Sequence, residues 1–268
     1  MPDFASALEE ARALAASAAG VGAELLALPE YCGGLRTEGG RLLPPSAPEE
    51  GHPVLAGLRE IAAGAGLWIL VGSVAVDGPD GRIRNRGFVL DSEGAIASRY
   101  DKIHMFDIQL SETEVYRESA AVEPGDRASL VEAAGARIGH TICYDLRFPQ
   151  LYRDLAQAGA EILAVPAAFT RRTGEAHWHV LNRARAIENG AFVIAPCAIG
   201  PIDGGGESYG HSLIVGPWGE VIADGQTQPG IVYATLDLEE VGRARERIPS
   251  LAHDRAFARA SETRRDVA

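Results

Sequence analysis

Strand-length apolar runs alternate with helical segments along this chain, and no flexible linker interrupts them. That alternation limits the fold more than any other feature. Hairpins and helical crossovers in one continuous sequence build sheets with helices packed on their outer faces. Helices are expected over residues 4–19, 54–63, 150–158, 177–188 and 239–245. Strands are expected over 23–28, 68–76, 84–90, 95–100, 129–132, 137–142, 161–165, 192–199, 212–215, 220–223 and 231–236. Residues 32–48 read as a loop rich in glycine and proline. Residues 103–127 read as a long charged loop of the kind that carries function. With no internal repeat or low-complexity block, the 268 residues are expected to form a single α/β domain with a polar tail from about residue 250.

Charge excludes several function classes. Lys and Arg number 25 against 37 Asp and Glu, a formal net charge of −12. Nucleic-acid binding needs a basic face, so no nucleic-acid partner is expected. The start, Met1-Pro2-Asp3-Phe4, lacks the basic and apolar regions of a signal peptide. No run approaches the roughly 18 apolar residues that cross a bilayer, so no membrane partner is expected either. Three cysteines, Cys32, Cys143 and Cys197, are too few and odd in number for a disulfide framework. They suit free thiols in the cytoplasm. His177 and His179 stand two apart with no obvious third ligand, so no metal is expected.

Three expected strands end in reactive residues. One runs through Leu28-Pro29 to Glu30, one through Tyr100-Asp101 to Lys102, and one through Thr141-Ile142 to Cys143. The last side chain of a strand stands at the rim of its sheet, where a substrate can reach it. A carboxylate, an amine and a thiol so placed can serve as general base, oxyanion stabiliser and nucleophile.

The words around these residues resemble the nitrilase superfamily of carbon–nitrogen hydrolases. They are Leu28-Pro29-Glu30, Tyr100-Asp101-Lys102-Ile103-His104-Met105-Phe106-Asp107 and Ile142-Cys143-Tyr144-Asp145-Leu146-Arg147-Phe148-Pro149. Thr173-Gly174-Glu175-Ala176-His177-Trp178, Arg183 to Glu188, Ser208-Tyr209-Gly210-His211-Ser212 and Pro217-Trp218-Gly219 are similar to its Nit-type amidase branch. The likeness runs in order from about Phe4 to Arg255. It implies a four-layer α-β-β-α sandwich, assembled as a homodimer or larger homo-oligomer. It implies a Glu-Lys-Cys triad on Glu30, Lys102 and Cys143, with an assisting glutamate on Glu118. Gln150 and Gly216 depart from the residues usual in the family, Glu and Asp or Asn. Members also begin with an apolar strand ahead of the first helix. Here Met1 stands almost at that helix, so the fold is expected to lack that first strand, and a start set too late is the preferred account.

On this reading Cys143 attacks an amide carbonyl and forms a thioester. A free thiol has a pKa of about 8.5 and is mostly protonated at neutral pH, so it needs a base. Glu30 takes the proton, gives it to the departing amine and then activates water. Lys102 and the Tyr144 backbone N–H hold the oxyanion. Glu118 pairs with Lys102 or orients the amide. Arg171 and Arg172 are expected in a loop after a strand, where one can bind a substrate carboxylate. His177 and Tyr209 are further candidate substrate contacts, and Cys32 and Cys197 are expected to be packing residues.

The expected activity is hydrolysis of a small carboxylate-bearing linear amide, releasing ammonia or an amine, with no metal or organic cofactor. The resemblance points to ω-amides such as α-ketoglutaramate or deaminated glutathione. An N-carbamoyl amidohydrolase or another aliphatic amidase of the same superfamily is the rival enzyme. A papain-like hydrolase would need His140 as base, three positions from Cys143 on one strand, where alternation turns it to the opposite face. A non-catalytic binding protein that keeps the fold would have no use for all three triad residue types.

Overall fold

Helix α1 (Phe4–Gly20) begins where the Asp3 carboxylate accepts a hydrogen bond from the Ser6 N–H at 2.9 Å, which satisfies one of the donors a helix start leaves open. The structure, a computed structural model, describes residues 3–38, 41–112 and 114–258. Strand β1 (Leu25–Ala27) follows, then three short strands, β2 (Thr37–Glu38), β3 (Arg41–Leu42) and β4 (Ser46–Ala47). Helix α2 (Pro53–Ala65) has its proline in the first turn, where a missing N–H costs nothing, and ends at Gly66 with φ 65°. Strands β5 (Trp68–Asp77), β6 (Ile83–Leu90) and β7 (Ile96–Asp101) form an antiparallel meander.

The second half opens with a hairpin, β8 (Asp107–Gln109) and β9 (Val115–Arg117), inside the stretch expected to be irregular. Then come β10 (Ser129–Ala133), β11 (Ala136–His140), α3 (Pro149–Gln157), β12 (Ile162–Ala164), α4 (Arg171–Asn189) and β13 (Phe192–Ala195). A second hairpin, β14 (Ile199–Pro201) and β15 (Glu207–Tyr209), precedes β16 (Leu213–Val215), β17 (Val221–Asp224) and α5 (Glu239–Arg247). The first sheet runs β1-β5-β6-β7, with β4 beside the far half of β5. The second runs β10-β11-β12-β13-β16-β17.

Alternation along the strands builds the layers, because successive side chains face opposite sides. Ile69 and Val71 pack beneath Leu55 and Leu58 of α2, while Leu70 and Val89 cross to Ile138, Ile162 and Phe192 of the other sheet. On that sheet, Leu163 and Val193 face outward to Tyr152 of α3 and Trp178 of α4. The order is therefore helix, sheet, sheet, helix, the expected α-β-β-α sandwich.

Three local expectations are corrected. Helix α4 starts at Arg171, six residues before the expected 177, so Arg171 and Arg172 lie on a helix and not in a loop. Polar residues and Gly174 hide that first turn, and the glycine is required because a Cβ there would stand 2.3 Å from the Tyr209 ring. The strand expected over 192–199 stops at Ala195, since Pro196 has no N–H to donate. The strand expected over 231–236 does not form. A groove of about 1130 Å³ separates that run from β1, lined by Leu25, Ala27, Ile162, Ile194 and Ile214, so it has no ladder partner. The expected polar tail is pinned where it starts. Arg153 of α3 donates to the Ser250 carbonyl and to Asp254; residues 259–268 lie outside the described residues.

One glycine sets how closely the chain beyond β1 approaches β5. The β5–β6 register shifts between Val71 and Val74, and a Cβ on Gly72 would stand 2.2 Å from the Leu28 carbonyl and 2.3 Å from that of Pro29. The next residue, Ser73, accepts the Tyr31 N–H on its hydroxyl at 2.9 Å and the Cys32 N–H on its carbonyl at 3.0 Å. The backbone that carries Glu30 thus rests directly on β5. Gly72→Ala is expected to cost about 1–3 kcal/mol, as overpacking typically does. Urea unfolding measures it, and an unchanged midpoint would refute the close contact.

Candidate active site

Four chain segments deliver four side chains to one point. Glu30 follows Pro29 off β1, ahead of Tyr31, whose φ is 51°. Lys102 continues β7, its N–H still donating to the Asn85 carbonyl at 3.0 Å. Glu118 opens a 3-10 turn directly after β9. Cys143 follows Ile142 beyond β11 at the head of another 3-10 turn, Cys143–Arg147, with φ 47°; its N–H donates to the Pro166 carbonyl. A left-handed backbone at a non-glycine residue stores strain of the kind found at functional sites.

The Lys102 ammonium donates to Glu30 Oε1 at 3.0 Å and to both Glu118 oxygens at 2.9 Å. Exposures of 2% for Lys102, 4% for Glu30, 6% for Glu118 and 7% for Cys143 show that these groups are nearly out of water. A buried charge persists only when paired and hydrogen-bonded. The remaining oxygens are supplied accordingly: Asn85 Nδ2 donates to Glu30 Oε1 at 2.8 Å, the Ala168 N–H to Glu30 Oε2 at 2.9 Å and the Phe106 N–H to Glu118 Oε2 at 2.6 Å. Burial opposes the Lys102 charge, but Glu118 and then Glu30 more than offset it and hold the ammonium well above the usual lysine range. Burial also raises Glu118, against the pull of Lys102. The Cys143 thiol, in hydrogen-bond contact with Glu30, is raised well above the usual range by burial first and then by that carboxylate. It is therefore a thiol at rest.

Asp145 fixes the two strand ends against each other. Its fully buried carboxylate accepts from Tyr100 Oη at 2.7 Å and the Ile142 N–H at 2.8 Å, and from the His104 N–H at 3.0 Å. A cavity of about 90 Å³ opens above the four side chains, walled by Tyr31, Phe106, Tyr116, Phe169 and Thr173, with Arg117 at its edge. The Tyr31 hydroxyl is buried there without a hydrogen-bond partner.

Comparison with known proteins places the chain in a lineage. The carbon-nitrogen hydrolase profile matches residues 1–246. The chain belongs to the carbon-nitrogen hydrolase family. It is 37% identical to a deaminated glutathione amidase of Synechocystis sp. over 256 residues, 94% of this chain and 93% of that protein. It is 33% identical to human omega-amidase NIT2 over 248 residues, 92% and 89% of the two chains. Saccharomyces cerevisiae Nit3, a member of branch 10 of the nitrilase superfamily, superposes with a TM-score of 0.81 at 26% identity, covering 93% of this chain and 90% of that one.

The other candidate substrate contacts of this carbon-nitrogen hydrolase fall outside the cavity lining. The Tyr144 ring packs edge-on to Phe106 and Phe148. Arg171 is paired with Glu175 and Glu207, and Arg172 with Glu114. His177 faces Arg147 at 3.3 Å, and Tyr209 stacks on His211. Sequence reading missed Asn85, Tyr31, Arg117 and Asp145. Asn85, in the middle of a strand, gave no local sign that its amide would serve two carboxylates; Arg117 stood beside Glu118 and was available to be found. Burial pushes the Cys32 and Cys197 thiols up to about 12, as suits packing residues. Among the described residues no helix is long and apolar enough to cross a membrane.

His140, the base a papain-like mechanism would need, points between the sheets. Its ring stacks on Tyr100 at 5.5 Å and fills the space a Gly87 side chain would take, and neither nitrogen makes a well-formed hydrogen bond. Burial pushes its pKa down to about 4. The unfolded chain takes up this proton below about pH 6.5, whereas the fold excludes it until about pH 4. Its contribution to stability is thus full above pH 6.5 and falls as the pH drops towards 4, by about 3 kcal/mol. Urea unfolding between pH 7 and 4 should show this slope, reduced by one proton in His140→Leu; equal slopes would refute it.

Proposed function

We propose that this carbon-nitrogen hydrolase is an amidase that cleaves a small carboxylate-bearing linear amide through a cysteine thioester and releases ammonia. The observation that carries the reading is the buried Lys102 ammonium held between Glu30 and Glu118, with the Cys143 thiol against Glu30. Glu30 accepts the thiol proton as sulfur attacks the carbonyl carbon, then gives that proton to the departing amine. It next takes a proton from the water that cleaves the thioester and returns it to sulfur. Lys102 spends two N–H groups on Glu118, so one can turn to the oxyanion without leaving either carboxylate unpaired. The Tyr144 N–H, in the first turn of its 3-10 segment, has no intrahelical acceptor and is the second oxyanion donor. Glu118 keeps the ammonium in register. The chain acts as one catalytic domain.

Arg117 supports the carboxylate-bearing class. Among the described residues lining the cavity it is the cation outside the Lys102 cluster, its side chain is exposed, and its charge is left for a ligand. The two named amidase relatives point the same way. Ammonia release from ω-amide carboxylates tests the reading. Cys143→Ala is expected to fall to background, and Glu30→Gln to lose on the order of 10² to 10⁴ in kcat. Arg117→Gln is expected to raise KM about tenfold or more for carboxylate-bearing amides, the worth of one charge-assisted contact, while leaving neutral amides unchanged. Full activity of Cys143→Ala would overturn the thioester. A ureido acid preferred over every amide would transfer the assignment to the carbamoyl hydrolases.

The reading includes a cytoplasmic homo-oligomer. All three cysteines are free, as a reducing compartment keeps them. Val180 and Ile187 on one face of α4 stand exposed, as do Trp218, Val221 and Ile222 of the β16–β17 hairpin, and exposed apolar side chains in number mark association. Sedimentation at micromolar concentration is expected to give a dimer or larger species, and a monomer would remove this part of the proposal.

A further inference from the structure

Away from the catalytic cavity, three metal-ligating side chains from separate elements converge. His179 projects from α4, His211 from the connection between β15 and β16, and Asp224 from the end of β17. His179 Nε2 lies 3.0 Å from Asp224 Oδ2, and His211 Nδ1 lies 3.1 Å from the same oxygen and 3.0 Å from Oδ1. The three ligand atoms all lie within 4.8 Å of one another. Sequence spacing alone paired His179 with His177 and found no third ligand. The fold separates those two and supplies partners 32 and 45 positions further along.

Two imidazole nitrogens aimed at one carboxylate can be read in two ways. Each ring can donate a proton to the aspartate. With the protons moved to the other ring nitrogens, the same geometry offers two lone pairs and an anionic oxygen to a single cation. Bonds of about 2.0–2.1 Å around a tetrahedral ion set neighbouring ligand atoms about 3.3 Å apart. Both histidine–aspartate separations are close to that value. The remaining adjustment falls on His179, whose side chain is a third exposed.

The other two ligands are held before any ion arrives. His211 has φ 53°, a left-handed backbone uncommon among residues other than glycine. Its carbonyl accepts the Trp178 indole N–H at 2.7 Å, its N–H donates to the Gln226 carbonyl at 2.7 Å, and its ring stacks on Tyr209 at 4.5 Å. Asp224 Oδ1 also accepts the Gln226 N–H at 2.8 Å. Such outer contacts fix ligand orientation in metal sites. We propose that His179, His211 and Asp224 form a binding site for a borderline divalent transition-metal ion of the zinc or cobalt class, with water completing the coordination. Two nitrogens and one oxygen suit these ions, whereas calcium and magnesium take oxygen ligands. Because the Tyr209 N–H donates to the carbonyl of Phe169, a cavity wall residue, the ion would brace α4 and the strands behind the pocket. Its role is structural and separate from the thiol chemistry.

The test uses the full chain with Cys143→Ala, so that the active-site thiol cannot bind metal. After chelator treatment and dialysis, Co²⁺ is titrated while its visible absorption is followed, and Zn²⁺ is then added in competition. One equivalent per chain is expected, with a melting temperature that rises with Zn²⁺ and not with Mg²⁺. His179→Gln keeps a donor for Asp224 and is expected to weaken Co²⁺ at least tenfold while leaving the metal-free melting temperature within a few degrees. Asp224→Asn is the second variant and is expected to weaken it likewise. No saturable binding, or unchanged binding in both variants, would overturn the site.

Discussion

An ammonium ion shared by two carboxylates out of reach of water is the interaction on which the rest of this structure depends. Each of those charges pays several kcal/mol to leave water, and the debt is met only by close pairing and complete hydrogen bonding. The partners come from distant parts of the chain. Glu30 arrives from the end of β1, Lys102 from β7, Glu118 from the hairpin after β9, and the Asn85 amide from the middle of β6. The Ala168 N–H comes from beyond β12 in the second sheet. The cluster therefore requires both sheets at a fixed separation and cannot assemble in half of the sandwich.

Backbone devices hold that separation. The bulge at Gly72 and Ser73 lets the Glu30 segment lie flat on β5, and Asp145 binds the turn after Cys143 to the strand end before Lys102. Burial and then the Glu30 carboxylate raise the Cys143 thiol well above its usual range, so on the proposed reading the base beside it matters more than any prior ionisation. Strain at Cys143 and Tyr31 falls next to this cluster, where the surrounding bonds over-determine the backbone.

Much of this was legible in the amino-acid order. Apolar runs in β5, β6 and β11 and the polar residues that follow the strands are local signals: Lys102 comes directly after β7, while Glu30 and Cys143 come three residues past the ends of β1 and β11, which stop at Ala27 and His140. What escaped detection depends on contacts between distant residues. Residues 231–236 have the composition of a strand, but a ladder needs a neighbour, and composition does not supply one. The first turn of α4 is polar because it borders the hairpin around Tyr209, so the apolar period begins only at Trp178. Arg171 and Arg172 look free in sequence and are neutralised in space by Glu207 and Glu114. His211 and Asp224 carry no spacing signal towards His179, since they meet only after the second sheet has formed.

The cavity over Cys143 measures about 90 Å³. A chamber of that size admits the end of a molecule and leaves the remainder outside. On the proposed reading, bond cleavage and preference among substrates are carried by different parts of the chain. The first sits in a rigid charged cluster that tolerates little change. The second, on that reading, lies at a rim that includes Arg117. A lineage built this way can keep one reaction and exchange its clientele through a few rim substitutions.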